Sequence, residues 1–246
     1  MDEGLIYGIN SISEALNSER TFEKVFILKG SKNERLDELI KELRDQRIPF
    51  SFVPIQKFKP ISRKNHQGIY AIISQVVYQS LDNLVDSLFS QGAEPFLVAA
   101  DSITDVRNIG AIARSAQAFG AHGLLVPSKG GAMINSEAVK ASAGSLMTLP
   151  VCRTDSLRFA LKFLKDSGFR VISISEKTEN SLWEGFDASG PIVLVLGSEG
   201  SGVSQEILKI SDELLAIPMA SGVGSLNVSV AAGISFSEVL RSRSKN

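Results

Sequence analysis

The sequence predicts an α/β protein in two parts, a small N-terminal α/β domain and a larger C-terminal domain with a mainly parallel sheet. Short apolar runs alternate with segments of helical periodicity along the whole chain. In the second part these runs carry almost no polar alternation. Strands of that kind are covered on both faces, which is typical of a parallel sheet wrapped by helices.

The first part, residues 1–78, contains both helix and strand patterns. Asn10 or Ser11 is placed to cap a short helix that runs through Leu16. Runs rich in β-branched and aromatic residues at 48–53 and 69–77 predict strands, and residues 25–28 form a short apolar run that ends at Gly30. A second helix is predicted from apolar residues at helical spacing, namely Leu36, Leu39, Ile40 and Leu43.

A helical linker is predicted over residues 79–95. From Leu81 to Phe89 the apolar residues follow the spacing of an amphipathic helix, directly after Ser80. Gly92 and Pro95 end this helix, because neither residue continues a helix easily.

The second part, residues 96–246, alternates between predicted strands and helices. This alternation predicts a doubly wound sheet, in which ligands bind beyond the carboxyl ends of the strands. The strands are expected at 96–100, 123–126, 170–174, 192–196 and 214–217, and helices at 109–119, 156–165 and 204–210.

Composition excludes several classes of protein. An apolar fraction of 43% is enough for a core, and no stretch approaches the roughly 18 to 20 apolar residues of a membrane span. The N-terminus is acidic and lacks a signal core, and Cys152 has no second cysteine to pair with, so we expect a cytoplasmic protein. His66, His122 and Cys152 are too few for a zinc cluster, and no G-x-S-x-G elbow is present. We therefore expect no metal and interpret His122 and Cys152 as packing residues.

The formal net charge of −1 argues against a nucleic-acid partner, but the charge is unevenly distributed. No Asp or Glu occurs from Gln46 to Leu81, so basic residues there could follow phosphates; a solvated loop explains the composition equally well. His66 is interpreted as a structural residue or an RNA contact. The candidate RNA-binding residues are Arg47, Lys57, Lys59, Arg63, Lys64 and His66.

Three loops that follow predicted strands stand out. In the first, residues 101–116, Asn108 is a natural N-cap and Arg114 falls opposite the apolar helix face. Gly110, Ala111 and Ala118 flank Arg114, so its guanidinium is open to another molecule. The alternative is an exposed arginine on an alanine-rich helix.

The second loop, residues 197–204, is rich in glycine and begins a helix. It is not a dinucleotide fingerprint, because Glu199 occupies the middle position of G-x-G-x-x-G. A carboxylate there suits hydroxyls or amines better than phosphate. Glycines at a tight turn are the alternative.

The third loop, residues 217–233, places Ser225 and Asn227 at the start of a helix. Ser229, Ala232 and Gly233 give this helix a small-residue side on which another backbone could pack. An N-cap before a buried alanine-rich helix explains Asn227 but not the whole segment.

Together the three loops resemble the three sequence motifs of the SpoU (TrmH-type) branch of the SPOUT RNA methyltransferases. In the first part, residues 7–10, 25–30 and 66–68 resemble the ribosomal-protein-like RNA-binding domain of bacterial 23S rRNA guanosine 2′-O-methyltransferases. The matching motif residues are Asn108, Gly110, Ala111 and Arg114; Gly197, Glu199 and Gly200; and Ile217, Pro218, Ser225, Leu226, Asn227 and Ser229.

This resemblance implies transfer of a methyl group from S-adenosylmethionine to a ribose 2′-hydroxyl of RNA, with a guanosine of 23S rRNA as target. It also implies a deep trefoil knot in the C-terminal domain and a homodimer packed through that domain. Arg114 would be central to the chemistry, positioned with the ribose by Asn108, Glu199, Ser225 and Asn227. The implied cofactor-binding residues are Leu196, Gly197, Ile217, Pro218, Met219 and Leu226.

Three other functions are compared with this interpretation. A tRNA or another rRNA is an alternative substrate. A non-catalytic RNA-binding assembly protein would have no reason to keep Arg114, Glu199 and Asn227. A nucleotide-dependent oxidoreductase would need a phosphate-binding loop that this sequence lacks.

Overall fold

The computed structural model describes residues 4–18, 21–31, 33–46, 48–220 and 224–244. The chain forms two compact units. The first consists of residues 1–77 with 134–136, and the second of residues 78–133 with 137–246.

The first unit is a four-stranded sheet with two helices. Its strand order is β1-β4-β2-β3, in which β4 runs antiparallel to both neighbours and β3 runs parallel to β2. The buried faces of both helices pack on the sheet in one apolar cluster. The elements are β1 (Leu5–Tyr7), α1 (Ile9–Leu16), β2 (Phe22–Leu28), α2 (Glu34–Asp45), β3 (Phe50–Val53) and β4 (Ile69–Ile73).

Helix α1 begins earlier than Asn10 or Ser11 would allow as its cap. The N-cap residue is Gly8, whose φ of 86° lies in the left-handed region that favours glycine. The side chain of Gln67 accepts a hydrogen bond of 2.9 Å from the backbone N–H of Ile9. The predicted cap was therefore wrong, because a distant side chain satisfies the helix start.

The second unit confirms the predicted parallel sheet. Seven strands lie in the order β11-β9-β10-β6-β7-β8-β5, and every neighbouring pair is parallel. The strands are β5 (Tyr78–Gln79), β6 (Phe96–Ala100), β7 (Gly123–Pro127), β8 (Val151–Thr154), β9 (Arg170–Ile174), β10 (Ile192–Leu196) and β11 (Glu213–Leu215).

Helices cover both faces of this sheet. Helices α3, α6 and α7 share a core with one face, whereas Phe236 of α8 packs edge-on against Phe96 on the other face, where α8 also contacts α4. The sequence assigned α3 to a linker over 79–95, but its Leu84, Val85 and Leu88 are buried in the core of this unit. The helices are α3 (Leu81–Ser90), α4 (Val106–Ala118), α5 (Ser136–Ala141), α6 (Leu157–Asp166), α7 (Gln205–Leu208) and α8 (Val228–Arg243).

The strand order determines where a ligand can bind. Strand β6 is the central strand, and the chain leaves it toward β7 on one side while β10 flanks it on the other. The loops after β6, β9, β10 and β11 all leave the same edge of the sheet, the edge at which open parallel sheets bind ligands. The implied trefoil knot is consistent with the fold; residues 221–223 of the third loop lie outside the described residues.

None of the helices in the described part of the chain is both long enough and apolar enough to cross a membrane.

Candidate active site

Helix α4 positions the first predicted site residue, although not in the way the sequence indicated. Its N-cap is Asp105, whose side chain accepts a hydrogen bond of 2.8 Å from the N–H of Arg107. Asn108 therefore lies within the first turn and is not the cap. Because Asp105 caps the helix, the side-chain amide of Asn108 is free to form a hydrogen bond with another loop.

The carboxylate of Glu199 joins residues from all three loops. Its Oε1 accepts a hydrogen bond of 3.0 Å from Nδ2 of Asn108 and another from Nδ2 of Asn227. The Asn227 amide also lies 3.2 Å from Oδ1 of Asn108 and can donate to it. Three motifs that are 28 to 119 residues apart in sequence are thus linked by direct side-chain contacts.

Asn227, which the sequence placed at the start of a helix, is the N-cap of α8. Its Oδ1 accepts hydrogen bonds from the N–H of Ser229 at 2.9 Å and from Oγ of Ser229 at 2.6 Å. The cap fixes the orientation of the amide, because the oxygen is held by the helix and the nitrogen faces Glu199.

The glycine-rich loop after β10 depends on Gly197. A Cβ at this position would lie 2.0 Å from the carbonyl carbon of Gly202 and 2.1 Å from the backbone nitrogen of Val203. No side chain fits there, because the returning limb of the loop passes directly over residue 197. The N–H of Gly202 closes the loop by donating to the carbonyl of Ser198 at 2.9 Å.

A cavity of about 370 Å³ lies beside this loop, at the carboxyl edge of the sheet. Most of the predicted cofactor residues line it, whereas Pro218 does not. Of the predicted catalytic residues, only Glu199 and Ser225 reach its wall. The cofactor residues on the wall are Leu196, Gly197, Ile217, Met219 and Leu226.

The sequence interpretation missed the segment after β9. Ile174, Ser175 and Glu176 line the same cavity. The carboxylate oxygens of Glu176 come within 3.6 Å of the Cβ position at Gly202, and Nζ of Lys177 donates to the carbonyl of Ser201 at 3.3 Å. The signal was available, because these residues follow a parallel strand at the edge that binds ligands.

Arg114 lies on α4 with an exposed side chain, as predicted. Among the described residues, none forms a hydrogen bond or ion pair with its guanidinium. The sequence placed Gly110 beside Arg114, but Gly110 is not part of the exposed surface around it. Gly110 is buried, and a Cβ there would lie 2.5 Å from the carbonyl oxygen of Ala138, so α5 already uses that close approach.

The small-residue side of α8 packs within the protein. Ala232 is buried, and a Cβ at Gly233 would lie 3.9 Å from Oγ of Ser115 on α4. Helix α4 is therefore the element that packs on the small-residue side of α8.

The candidate RNA-binding residues lie in the first unit. Lys57 and Lys59 belong to a 3₁₀ helix, Ile55–Ile61, and Arg63 and Lys64 follow it; all four are exposed. Arg47 lies outside the described residues.

His66 has a structural role in the same segment. Its Nδ1 accepts a hydrogen bond of 3.0 Å from the N–H of Gly68, and its ring centre lies 4.7 Å from that of Phe58. These contacts hold the loop that carries Arg63 and Lys64.

Neither His122 nor Cys152 is suited to catalysis. Burial lowers the pKa of His122, and its Nδ1 accepts a hydrogen bond from the N–H of Phe96. Burial raises the pKa of the Cys152 thiol to about 11, so it is not a nucleophile at neutral pH. The described residues contain no group of three or more His, Cys, Asp or Glu side chains that could hold a metal ion.

Two family models match this chain. The SpoU rRNA methylase family matches residues 95–237, and the RNA 2′-O ribose methyltransferase substrate-binding family matches residues 5–79. The two matches follow one another in sequence and together span most of the chain.

Relatives in other bacteria support the same assignment. A protein of Mycobacterium sp. (strain KMS), described as an uncharacterized tRNA/rRNA methyltransferase, is 36% identical over 97% of this chain and 76% of its own length. The putative TrmH family tRNA/rRNA methyltransferase YacO of Bacillus subtilis (strain 168) is 32% identical over 97% of this chain and 95% of its own.

Solved structures share the fold. The SpoU methyltransferase AviRb from Streptomyces viridochromogenes, in complex with the cofactor AdoMet, has a TM-score of 0.62 and 26% identity, covering 98% of this chain and 91% of its own. The A. aeolicus TrmH/SpoU tRNA modifying enzyme has a TM-score of 0.56 and 31% identity, covering 67% of this chain and 85% of its own.

Proposed function

The chain belongs to the SpoU family of RNA 2′-O-ribose methyltransferases, which use S-adenosylmethionine as methyl donor, and we propose that it methylates a guanosine of 23S rRNA. One observation supports the site best. Asn108 and Asn227 both donate hydrogen bonds to Glu199, which lines a cavity built from the loops after β9, β10 and β11.

The residues of the cavity fit the cofactor. Gly200, where a Cβ would meet no atom within 4 Å, leaves the cavity wall open to a ligand, while Ile217 and Leu226 offer apolar surfaces for an adenosine. The carboxylate of Glu176 provides an acceptor for hydroxyl or amine groups, as donors of that kind are present in S-adenosylmethionine. When bound, this cofactor supplies a methyl group already activated by the adjacent sulfonium.

Methyl transfer forms an O–CH₃ bond at the ribose 2′-oxygen and breaks the S–CH₃ bond. The sulfur keeps the bonding electron pair and leaves as a neutral thioether, and the hydroxyl proton passes to a phosphate or to water. The protein must therefore align the two reactants and increase the nucleophilicity of the hydroxyl. We assign the alignment to Asn108, Glu199, Ser225 and Asn227.

Arg114 acts through its charge. A guanidinium is not deprotonated in proteins, so Arg114 is not the base. It instead stabilises the developing negative charge on the 2′-oxygen and binds the neighbouring phosphate. The absence of a partner for Arg114 among the described residues supports this role, because the side chain is free to meet RNA.

Arg114 serves the cavity of the second subunit in a homodimer. Asn108 and Arg114 are six residues apart on α4, so at about 100° per residue their side chains point roughly 120° apart. The side chain that binds Glu199 and the one that binds phosphate thus face different directions. In a homodimer, Arg114 of one subunit reaches the cofactor cavity of the other subunit and completes the active site there.

The dimer is supported by helix α8, which carries apolar residues on all sides. Val228, Phe236 and Val239 are buried, yet Val230 is 50% exposed and Leu240 is 47% exposed. A helix with an apolar face left over after packing is suited to a symmetric contact with its own copy.

The RNA surface of the first unit combines charge with apolar side chains. Lys57, Lys59, Arg63 and Lys64 supply cations for phosphates. Phe52 on the edge strand β3 is 47% exposed, and Ile55 is 55% exposed, directly before the basic residues. An exposed aromatic ring beside a basic segment is suited to stacking on an unpaired base.

The target nucleotide is tested by mapping 2′-O-methyl groups in RNA from cells with and without the gene. A methylated ribose resists alkaline cleavage, so each lost mark appears as a new cleavage site. Loss of one guanosine mark in 23S rRNA supports the proposal. A mark lost from tRNA or from another rRNA would contradict the assigned target and leave the reaction class unchanged.

A further inference from the structure

We propose that Asp101 is a positioning residue for methyl transfer. It is the first residue after β6, the central strand, and it is only 6% exposed. The alignment assigned to Glu199 does not use this buried carboxylate. Its contacts connect it to the glycine-rich loop that carries Glu199.

The carboxylate of Asp101 joins two loops. Its Oδ2 accepts a hydrogen bond of 2.7 Å from the N–H of Ser204, which lies in the returning limb of the glycine-rich loop. Its Oδ1 accepts a hydrogen bond of 3.0 Å from Oγ of Ser102. The backbone N–H of Ser204 can only donate, so the side chain at position 101 must place an acceptor oxygen there, and a carboxylate makes this a charge-assisted hydrogen bond.

The backbone around Asp101 is held in an unusual conformation. Ser102 has a φ of 57°, in the left-handed region that side chains other than glycine rarely adopt. The N–H of Asp101 donates to the carbonyl of Leu196 at 2.8 Å, which aligns the ends of β6 and β10. A residue keeps such a conformation when the surrounding contacts fix it. Here one of these contacts is the hydrogen bond from Asp101 to Leu196, and Leu196 lines the cavity.

The glycine-rich loop is constrained at three points. Gly202 bonds to Ser198 at its base, the crossing over Gly197 leaves no space, and Asp101 holds Ser204. Glu199 and Gly200 form the tip between these points. Release of Ser204 would loosen the limb that passes over Gly197, and with it both the cavity wall and the Glu199 carboxylate.

This inference rests on the proposed function only because it assumes that Glu199 helps to align the ribose with the methyl donor. The test is Asp101→Asn, which keeps the size of the side chain but removes the negative charge that strengthens the hydrogen bond from Ser204. Loss of this charge predicts a dissociation constant for S-adenosylmethionine about tenfold higher by calorimetry. The KM for the cofactor rises with it, whereas the affinity for RNA in the first unit is unchanged.

Asp212→Asn is the matched control. Oδ2 of Asp212 also accepts a hydrogen bond of 2.8 Å from a backbone N–H, that of Val171, at the opposite end of the same sheet. The control should lower the melting temperature without weakening cofactor binding. If Asp101→Asn behaves in the same way, with a cofactor dissociation constant equal to that of the unmodified protein, Asp101 is only structural and the proposal is wrong.

A second variant tests the same bond from its other end. Ser204 has a φ of −64°, which proline also adopts, so Ser204→Pro removes the N–H while retaining Asp101. The Oγ of Ser204 has no hydrogen-bond partner within the described part of the chain, so its removal breaks no side-chain hydrogen bond there. Cofactor binding should weaken as in Asp101→Asn, and the double variant should be no weaker than either single variant.

The variants also separate this inference from the proposed function. A protein that binds S-adenosylmethionine but does not methylate RNA would contradict the proposed function, and the comparison of cofactor affinities would still stand. Unchanged affinity in both Asp101→Asn and Ser204→Pro would overturn the positioning role alone.

Discussion

Glu199 accepts hydrogen bonds from two asparagine amides through the same oxygen, Oε1. Oε2 of Glu199 accepts no hydrogen bond from either asparagine. In the proposed mechanism this oxygen accepts a hydrogen bond from a ribose hydroxyl. Because the Oδ1 of Asn227 is held by Ser229, its amide cannot rotate without breaking the α8 cap. The three side chains thus form a preorganised acceptor, which costs little reorganisation when RNA binds.

Arg114→Ala should reduce the rate of methyl transfer by a factor of about 10² to 10³, as is typical for loss of one preorganised charge. Cofactor binding should persist, because Arg114 does not line the cavity. Arg114→Lys should recover part of the rate, since an ammonium keeps the charge but not the two-pronged geometry. The measurement is single-turnover transfer of labelled methyl to RNA.

Arg158→Ala is the control for this prediction. Arg158 lies on α6, which packs on the opposite face of the sheet from α4. Its removal should leave the transfer rate unchanged. Near-normal turnover of Arg114→Ala would exclude Arg114 from the chemistry.

At the level of single residues, the sequence could predict which side chains meet but not how they are held. The motifs indicated Asn108, Glu199 and Asn227 together. The capping of α4 by Asp105 was missed, because Asp and Asn are equally good caps and only the helix start decides between them. Glu176 follows a parallel strand at the edge that binds ligands, but it was missed because no sequence motif includes this single carboxylate.

Among the elements, the basic 3₁₀ segment of the first unit gives a prediction about salt. Replacement of Lys57, Lys59, Arg63 and Lys64 by glutamine should weaken RNA binding for all sequences alike. The slope of log K against log salt should become shallower by about 0.7 to 0.9 for each phosphate that the protein no longer neutralises. Fluorescence anisotropy with labelled RNA at several salt concentrations measures both effects.

The same four changes on a solvated loop would leave affinity and slope as they were. That outcome would show that the segment is only a solvated loop, the alternative that the composition also allows. Replacement of Lys140, Lys162 and Lys209 in the second unit removes similar charge and serves as the control.

Phe52 provides a prediction about the kind of RNA. Phe52→Ala should weaken binding to a hairpin with an unpaired loop by about tenfold, since stacking of one base on an aromatic ring contributes about 1–3 kcal/mol. Binding to a fully paired duplex should not change. Phe159→Ala, at another exposed phenylalanine in α6, is the control. Equal weakening for hairpin and duplex would contradict base stacking.

The predicted elements agree with the structure where apolar residues are continuous and fail where they are not. Strands β6, β9 and β10 lie where the apolar runs placed them. Strand β8 was missed because Arg153 and Thr154 interrupt its apolar character. The guanidinium of Arg153 lies 3.7 Å from the ring centre of Tyr78 on the edge strand β5, an interaction between distant residues that periodicity does not reveal.

For the whole molecule, the division into two units and the parallel sheet followed from patterns of tens of residues, which average over local exceptions. The place at which Arg114 acts did not follow from such patterns. We propose that the site of action of Arg114 depends on the arrangement of two chains. A single sequence indicates such an arrangement only through the exposed apolar residues of α8 and the direction of the Arg114 side chain.

The proposed homodimer makes a prediction that separates the two possible positions of Arg114. Arg114→Ala and Glu199→Gln should each retain only about 1% of the normal activity or less as pure proteins. In a mixed dimer, the first subunit supplies an intact Glu199 and the second an intact Arg114. If Arg114 acts across the dimer, one of the two sites is therefore complete, and random assortment restores about a quarter of the normal activity.

If Arg114 acts within its own subunit, every site in the mixture carries one defect and activity stays as low as that of the pure proteins. Pull-down of one tagged subunit by the other verifies that the chains have exchanged. Leu240→Glu, which places a charge on the exposed apolar face of α8, should prevent both the exchange and the recovery. Recovery therefore requires contact between subunits, since two monomers that each lack one essential group cannot complete a site in solution.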